Sequence, residues 1–276
     1  MTYREVITLG ERDLKQAGIV DAKIDAWLLM EACFKIDRSF YYMHMNEEVT
    51  DDLIREYELS VKKRAEHIPL QYITGETEFM GLNFKVNSSV LIPRQDTEVL
   101  VEEALKVVKP GMDVLDMCTG SGCIIISILH NVSDVKGYAA DISKQAVNIA
   151  KENAKLHEVP VLFERSDLFE NISGTYDVIV SNPPYIPTDV IPELMPEVKE
   201  FEPVEALDGK EDGLFFYRKI VAESLHYLKP HGYLLFEIGY DQGKTVSDMM
   251  KDAGYQDVRV IKDLSGNDRV VTGMLQ

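Results

Sequence analysis

Apolar residues recur at helical spacing along the first 72 residues of the chain. Leu9, Leu14 and Ala17 follow this spacing, and Thr50-Asp51-Asp52 is a typical helix start. Pro69 is expected to end the last of these helices, because proline disfavours helix at the residue before it. The pattern predicts a helical domain over residues 1–72. It contains no catalytic-looking cluster, so both a packing role and a substrate-recognition role stay open.

The period of the pattern changes after this domain. From about residue 72 to residue 92, residues such as Phe79 alternate with Tyr72, Thr74 and Glu76, and Gly81 interrupts the run. Strict alternation around a glycine is typical of two short antiparallel strands. We therefore predict a β-hairpin linker over residues 73–92.

From residue 93 to residue 276, apolar runs alternate with helical stretches. This alternation predicts a doubly wound, mostly parallel α/β sheet. The last two strands have no helix between them, which suggests an antiparallel pair at one edge of the sheet. The predicted strands are Asp113–Asp116, Lys136–Ala140, Val161–Phe163, Asp177–Val180, Gly232–Glu237, Gln256–Ile261 and Arg269–Met274.

Charge and cysteine content narrow the class of protein. The formal net charge is −18 over 276 residues, which disfavours a nucleic-acid partner because phosphate binding needs a basic face. The three cysteines form no CxxC pair, so reduced thiols and no metal site are expected. There is no signal-peptide pattern and no apolar run long enough for a bilayer. We expect a soluble, cytoplasmic monomer.

A glycine turn follows the first strand of the α/β part. The segment Cys118-Thr119-Gly120-Ser121-Gly122 leads into the apolar stretch Ile124–Leu129, and Asp141 follows the next strand. Glycines allow close backbone approach to a ligand, a helix N-terminus offers free N–H groups, and a carboxylate about 20 residues later is the usual ribose acceptor. Together these features predict a nucleotide-like ligand.

The details of this turn favour S-adenosylmethionine over a dinucleotide. A dinucleotide fingerprint needs a third glycine where Ile125 stands, and Asp116 is poorly placed to meet a pyrophosphate. A carboxylate suits a cationic, phosphate-free ligand better. Asp167 and Leu168, after the third strand, are expected to supply an acceptor for the adenine amino group and an apolar wall.

The fourth strand ends in the motif Asn182-Pro183-Pro184-Tyr185, at the sheet edge where such folds bind ligands. The Asn182 side chain and the Pro183 backbone each offer a carbonyl that accepts one N–H of an NH₂ group. This fixes the nitrogen and turns its lone pair towards the methyl group. The prolines stiffen the loop, and Tyr185 can stack on a planar group. The motif predicts methylation of a planar nitrogen, in a glutamine amide or in an adenine or cytosine amino group.

Several further segments resemble the HemK/PrmC family, which methylates the glutamine of the GGQ motif in peptide chain release factors. The resemblance covers nearly the whole chain. Its segments are Pro69–Gly75, Val90–Glu98, Val180–Ile186, Phe201–Pro203, Asp212–Leu214, Glu237–Gly239 and Asp268–Val270.

The resemblance implies a seven-stranded Rossmann-like methyltransferase sheet with S-adenosylmethionine as donor, and a release factor gripped partly by the helical domain. Carried over by position, Cys118–Gly122, Asp141 and Leu168 line the cofactor. Asn182 contacts cofactor and substrate, while Pro183, Pro184 and Tyr185 help to hold the glutamine amide.

Two positions depart from the family pattern. Cys118 stands where the family usually has glycine, and Gln95 replaces a usual proline. We expect altered loop geometry at Cys118 and little effect at Gln95. The alternatives are an adenine-N6 nucleic-acid methyltransferase, disfavoured by the acidic charge, and a non-catalytic binding module, disfavoured by the intact Asn182 and Tyr185.

Overall fold

A computed structural model describes all 276 residues, and they divide into two compact units. The first unit comprises Met1–Gly75 together with Met195–Phe201, and the second comprises Glu76–Leu194 together with Glu202–Gln276. The sequence pattern did not predict that a segment from the α/β half belongs to the helical unit. Such a long-range placement leaves no signal in local periodicity.

The first unit consists of helices. Their bounds are α1 Tyr3–Gln16, α2 Ala22–Phe34, α3 Arg38–His44, α4 Asp51–Ala65 and α5 Leu70–Thr74. Thr2 caps α1 through a reciprocal bond with Glu5, in which each side chain accepts from the other residue's backbone N–H. Its core contains Leu14, Trp27 and Tyr57, all buried.

The start of the predicted hairpin needs correction. Residues from Leu70 to Thr74 form α5, so the predicted boundary at residues 72 and 73 lies inside a helix. Pro69 precedes this helix as its N-cap, and Gly75 ends it with a φ of 84°. Proline is compatible with a helix start, and glycine readily takes a left-handed conformation at a helix end. The alternation at Tyr72 and Thr74 was therefore misleading.

Two short strands then form the hairpin itself. They are β1 Glu76–Phe79 and β2 Leu82–Lys85, paired antiparallel with Phe79 opposite Leu82. Residues 86–92, which the prediction included, lie outside both strands.

The second unit is built on a seven-stranded sheet. Its strands are β3 Asp113–Met117, β4 Lys136–Asp141, β5 Val161–Arg165, β6 Tyr176–Ser181, β7 Leu228–Glu237, β8 Gln256–Lys262 and β9 Asp268–Met274. The helices are α6 Glu98–Val107, α7 Cys123–Asn131, α8 Lys144–Leu156, α10 Phe215–Ser224 and α11 Gly243–Asp252, while α9 Pro196–Phe201 belongs to the first unit. Every predicted strand is present.

The strand order is β5-β4-β3-β6-β7-β9-β8. The first five strands in this order run parallel, whereas β9 pairs antiparallel with both β7 and β8. This confirms the predicted doubly wound sheet with an antiparallel pair at its edge. Because β4 lies on one side of β3 and β6 on the other, the order reverses at β3, where open α/β sheets bind ligands.

Two buried clusters form the core of this unit. One contains Val114, Ile125 and Val180, and the other contains Leu115, Ile179 and Phe236. Neighbouring residues of one strand, such as Val114 and Leu115, belong to different clusters because successive side chains point to opposite faces. Both faces are covered, which is why these strands are almost continuously apolar. None of the helices of the chain combines the length and apolar character needed to cross a bilayer.

Candidate active site

The ends of three neighbouring strands bring the predicted motifs together. The register pairs Met117 of β3 with Ala140 of β4 on one side and with Ser181 of β6 on the other. The glycine turn, Asp141 and Asn182 each follow one of these residues in the sequence. Parallel pairing alone therefore places the three motifs at one edge of the sheet.

A cavity of about 930 Å³ opens at this edge. Such a volume is typical of sites for drug-sized ligands and cofactors. All of the predicted cofactor residues except Gly122 line it, namely Cys118, Thr119, Gly120, Ser121, Asp141, Asp167, Leu168 and Asn182. Pro184 also lines the cavity, whereas Pro183 and Tyr185 do not.

The glycine turn is held against the strand that follows it. The Gly120 backbone N–H donates to Asp141 Oδ2 at 2.9 Å, and the Ser143 N–H donates to Asp141 Oδ1 at 2.9 Å. Each carboxylate oxygen has a second lone pair, so Asp141 keeps acceptor capacity for a ligand. Burial raises the pKa of Asp141, and these backbone bonds oppose that effect.

Gly122 serves packing instead of lining the cavity. It precedes α7 with a φ of 81°, and an added Cβ would lie 3.0 Å from Ile126 and 3.1 Å from Ala150 of α8. A side chain here would be strained and would separate α7 from α8. The second glycine of the turn is therefore needed for the close approach of two helices.

Cys118 has a left-handed backbone conformation, with a φ of 62°. Glycine adopts this conformation without cost, whereas a residue with a Cβ pays a steric penalty. The thiol packs beside the core cluster that contains Leu115 and Phe236. Burial raises the pKa of the Cys118 thiol, so it stays protonated and unreactive at neutral pH.

Asp116 does not line the cavity, contrary to the expectation that its charge faces the ligand. Its side chain is fully buried and its Oδ2 accepts from the Thr119 hydroxyl at 2.6 Å, while Oδ1 has no hydrogen-bond partner. Burial raises the pKa of Asp116 to about 7. The carboxylates that do line the cavity are Asp141, Asp167 and Glu205.

The Asn182 side chain lies at the cavity wall with its amide turned towards α6. Its Nδ2 donates to the Thr97 hydroxyl at 3.4 Å, which leaves the carbonyl oxygen free to accept. Thr97, which is only 3% exposed, also lines the cavity. Sequence reasoning missed Thr97, although it lies in one of the segments that carry the family resemblance.

Tyr185 does not line the cavity and holds the loop through contacts with the core and with Glu237. Its ring packs against the second core cluster, its hydroxyl donates to Glu237 Oε1 at 3.3 Å, and its carbonyl accepts from Gln242 Nε2 at 3.0 Å. Burial raises the pKa of the Tyr185 hydroxyl, and the nearby charge of Glu237 adds to this effect.

Glu237 is a second buried polar residue near this loop that sequence reasoning did not single out. It ends β7 next to the strand that delivers Asn182, is 2% exposed, and has no hydrogen-bond partner at Oε2. Burial raises the pKa of its carboxyl, against the opposing effects of Thr97, Arg269 and Tyr185. A carboxylate directly after the apolar run Tyr233–Phe236 was the available signal.

Comparison with known proteins agrees with this arrangement. Residues 5–75 match the PrmC N-terminal domain, and residues 94–193 match the methyltransferase small domain. A release factor glutamine methyltransferase from Clostridium botulinum is 41% identical over 278 residues, covering 98% of each chain. One from Geobacter sulfurreducens is 40% identical over 275 residues, covering 99% of this chain and 97% of that protein.

The chain belongs to the release factor glutamine methyltransferase family. It is a methyltransferase, and its methyl donor is S-adenosylmethionine. A solved methyltransferase from Pyrococcus furiosus, 18% identical, matches 70% of this chain and 89% of its own with a TM-score of 0.54. That likeness concerns the fold alone.

Proposed function

We propose that this methyltransferase transfers a methyl group to the side-chain amide nitrogen of the glutamine in the GGQ motif of peptide chain release factors. The position of Asn182 is the observation that supports this proposal. Asn182 opens onto the same cavity as the glycine turn and Asp141, and its carbonyl oxygen is free to accept. An acceptor beside a cofactor cavity is what orientation of a weakly nucleophilic amide requires.

The residues of the cavity fit S-adenosylmethionine. Cys118–Ser121 supply the turn, Asp141 supplies an acceptor for ribose hydroxyls, and Leu168 supplies an apolar wall. Asp167 is the proposed acceptor for the adenine amino group. When bound, the cofactor supplies an electrophilic methyl group. Asp141 and Asp167 supply negative charge that suits its sulfonium, although basic side chains such as Arg165 and Lys219 also line the cavity.

Asn182 and Pro183 are proposed to hold the substrate nitrogen. The Asn182 Oδ1 and the Pro183 carbonyl each accept one N–H of the glutamine amide, which points the nitrogen lone pair at the cavity. Pro184 contributes to the wall on which the amide lies. Stacking of Tyr185 on the amide stays a prediction. In this structure the Tyr185 ring packs against the core, and its hydroxyl contacts Glu237.

The proposal extends to partners and location. We propose that the helical unit contributes to binding of the release factor, that the protein acts as a cytoplasmic monomer, and that it needs no nucleic acid. The net charge of −18 supports a protein substrate, because an acidic surface repels phosphate backbones.

The direct test uses radiolabelled S-adenosylmethionine with purified release factor or with duplex DNA. We expect label on the release factor, lost when its GGQ glutamine is replaced by alanine, and no label on DNA. Label on DNA, or on a release factor that lacks this glutamine, would contradict the proposal.

A variant of the enzyme tests the role of Asn182. We expect Asn182→Ala to lower kcat by about 10²-fold or more, because the amide nitrogen is no longer oriented. Calorimetric titration should show that the variant still binds S-adenosylmethionine. Unchanged turnover would remove Asn182 from the mechanism.

A further inference from the structure

The loop Asn182–Tyr185 needs outside help to keep its position. Its two central residues are prolines, so they carry no backbone N–H that could bind a neighbour. Ser181 fixes the start of the loop, because its hydroxyl donates to the Met117 carbonyl at 2.7 Å. Beyond the prolines, the position of the loop depends on groups that donate to its carbonyls. The structure has such a donor at Tyr185, the last residue of the loop.

Gln242 is that donor, although it lies 57 positions further along the chain. Its carboxamide is buried and makes three hydrogen bonds, all to backbone groups. Nε2 donates to the Tyr185 carbonyl at 3.0 Å and to the Gly213 carbonyl at 3.3 Å. Oε1 accepts from the Gly239 N–H at 2.9 Å. A half-turn of the amide would oppose donor to donor and acceptor to acceptor, so these neighbours allow only one orientation.

Two glycines let another backbone segment reach the end of the loop. An added Cβ at Gly213 would overlap with the Tyr185 carbonyl oxygen, and the φ of 71° at this position also favours glycine. An added Cβ at Gly209 would lie 2.8 Å from the Tyr185 Cα. The Gly209 N–H in turn donates to the Ile186 carbonyl at 2.8 Å. The end of the loop therefore lies directly on this segment, and Gln242 joins the two.

These contacts give a role to two sequence segments that the cavity does not use. Asp212–Leu214 and Glu237–Gly239 both carry the family resemblance, and neither lines the cavity. Each supplies one backbone partner of the Gln242 carboxamide. Gln242 does not line the cavity either. Its effect on the reaction must therefore pass through the loop.

The prolines transmit the position of Tyr185 to the acceptors of the loop. The ring of each proline fixes its φ at about −65°, so few torsions are free between Tyr185 and Asn182. A shift of the Tyr185 carbonyl therefore moves the Pro183 carbonyl and the Asn182 side chain with it. Misplacement by about 1 Å is enough to slow an orientation-dependent reaction by about 10²-fold.

Resting on the proposed function, we propose that Gln242 is a positioning residue for methyl transfer. Its carboxamide fixes the Tyr185 carbonyl against the backbone at Gly213, and this places the two acceptors that hold the substrate amide. Because Gln242 lies outside the cavity, its loss should lower kcat and leave the affinity for S-adenosylmethionine intact.

Two variants of Gln242 test this proposal. Gln242→Met keeps the length of the side chain and removes its hydrogen bonds. Gln242→Glu keeps the shape and puts an acceptor oxygen where the NH₂ donor stood. The measurements are kcat and KM for methylation of a purified release factor, together with calorimetric titration by S-adenosylmethionine. The titration gives the cofactor affinity and the number of folded sites, so kcat is expressed per folded site.

Asn153→Leu is the matched comparison. Asn153 is also a buried carboxamide with three bonds to backbone groups, but it holds the glycine turn instead of the catalytic loop. Its Nδ2 donates to the Ser121 carbonyl at 2.9 Å and to the Lys85 carbonyl at 3.1 Å. Its Oδ1 accepts from the Lys85 N–H at 2.8 Å. Ser121 lines the cofactor cavity, so this variant should act on cofactor binding.

We expect Q242M and Q242E each to lower kcat per folded site by roughly 10- to 100-fold, with unchanged cofactor affinity. N153L should show the opposite division. Its cofactor affinity should fall by roughly 10-fold, and its kcat at saturating cofactor should change less than that of Q242M. A purely structural role of Gln242 would lower the melting temperature and leave kcat per folded site unchanged.

Three results would overturn the proposal: a wild-type kcat per folded site in Q242M, a loss of cofactor affinity in Q242M as large as its loss of kcat, or the same division of effects in N153L as in Q242M. If Q242M does not fold, Q242E is judged by the same criteria. Wild-type enzyme that leaves the release factor unlabelled would instead refute the proposed function. The two failures are therefore distinguishable.

Discussion

The helical unit and two strand ends of the α/β unit bury charged side chains in different ways. In the helical unit, the buried Arg64 contacts Asp25 at 2.7 Å and Glu197 at 3.1 Å, so the positive charge is matched. In the α/β unit, Asp116 and Glu237 are buried with one oxygen each that lacks a hydrogen-bond partner. Asp116 is the next-to-last residue of β3, and Glu237 is the last residue of β7.

This difference separates two uses of a buried charge. A paired cluster contributes to the fold, and removal of one partner leaves an uncompensated charge. An unsatisfied carboxylate costs stability, so its presence beside a site indicates a role in orienting or binding. Changes in the helical cluster should therefore lower stability. Changes in the strand-end carboxylates should raise stability and affect activity.

The largest effect is expected for Arg64→Met. This change leaves the buried Asp25 without its partner and should lower the free energy of unfolding of the helical unit by about 3–5 kcal/mol. The only tryptophan, Trp27, lies in the core of this unit, so its fluorescence during urea unfolding reports on that unit.

Arg12→Met provides the control for this variant. Arg12 and Asp13 also form an ion pair, but their side chains are 58% and 48% exposed, so the loss should not exceed about 1 kcal/mol. Equal losses in the two variants would show that the helical cluster is no more important than a surface pair.

A second effect concerns the pH dependence of stability at Asp116. Burial raises the pKa of Asp116 from 3.8 to about 7, so the folded state holds this proton over a pH range in which the unfolded state has lost it. The contribution is favourable in acid and is lost as the pH rises from about 4 to about 7. Asp116→Asn should abolish this loss, which amounts to roughly 2–4 kcal/mol. Urea unfolding followed by circular dichroism at pH 4.5 and pH 7.5 measures this loss. The same change in unfolding free energy between the two pH values in the variant and the wild type would contradict the prediction.

Glu197 should respond to pH with the opposite sign. Burial opposes its ionisation, but hydrogen bonds, including those from His67 and Arg64, hold the pKa of Glu197 below its usual value of 4.5. Its stabilising contribution is present above pH 4.5 and is lost as the pH falls through the lowered pKa. Glu197→Gln should remove roughly 1–2 kcal/mol at pH 7 and less in strong acid. Urea unfolding followed by Trp27 fluorescence at pH 7 and in strong acid measures this loss of stability. An equal loss at both pH values would argue against an ionic contribution.

The smallest effect is expected at the glycine turn. Cys118→Gly removes a left-handed strain of about 1–2 kcal/mol, and this gain offsets the greater freedom of glycine in the unfolded chain and the lost packing. The net change in unfolding free energy should stay within about 1 kcal/mol.

Cys123→Gly is the matched comparison, because Cys123 is buried at the start of α7 and has no left-handed strain to relieve. It should cost more than Cys118→Gly. Equal losses in urea unfolding would show that relief of backbone strain at Cys118 does not offset the loss of its side chain.

The order of elements was predictable because its signals are local. Apolar runs marked each strand, glycine marked the turn after β3, and two prolines marked the rigid loop after β6. Most residues around the cavity could be named because the carboxyl ends of parallel strands share one edge, wherever the strands lie in sequence. The family segments narrowed the substrate further than residue chemistry alone could.

Where local signals conflicted, the sequence misled. Alternation at Tyr72 predicted a strand, but the helix start at Pro69 and the glycine at Gly75 enclose one turn of helix instead. Asp116 lies near the end of β3, and its charge was expected to face the ligand. The pleat of the strand instead directs the Asp116 side chain into the protein, where it is buried.

What only the tertiary structure decided is which residues that are distant in the sequence contact each other. Glu237 contacts Tyr185 across 52 positions, Thr97 contacts Asn182 across 85, and Glu197 returns to Arg64 across 133. Strand order and the path of the chain bring these pairs together, and neither is encoded in hydrophobic periodicity. The sequence by itself determined the strands, the turns and the acceptor at Asn182, because those depend on neighbours along the chain. The contact of Asn182 with Thr97 depends on neighbours in space.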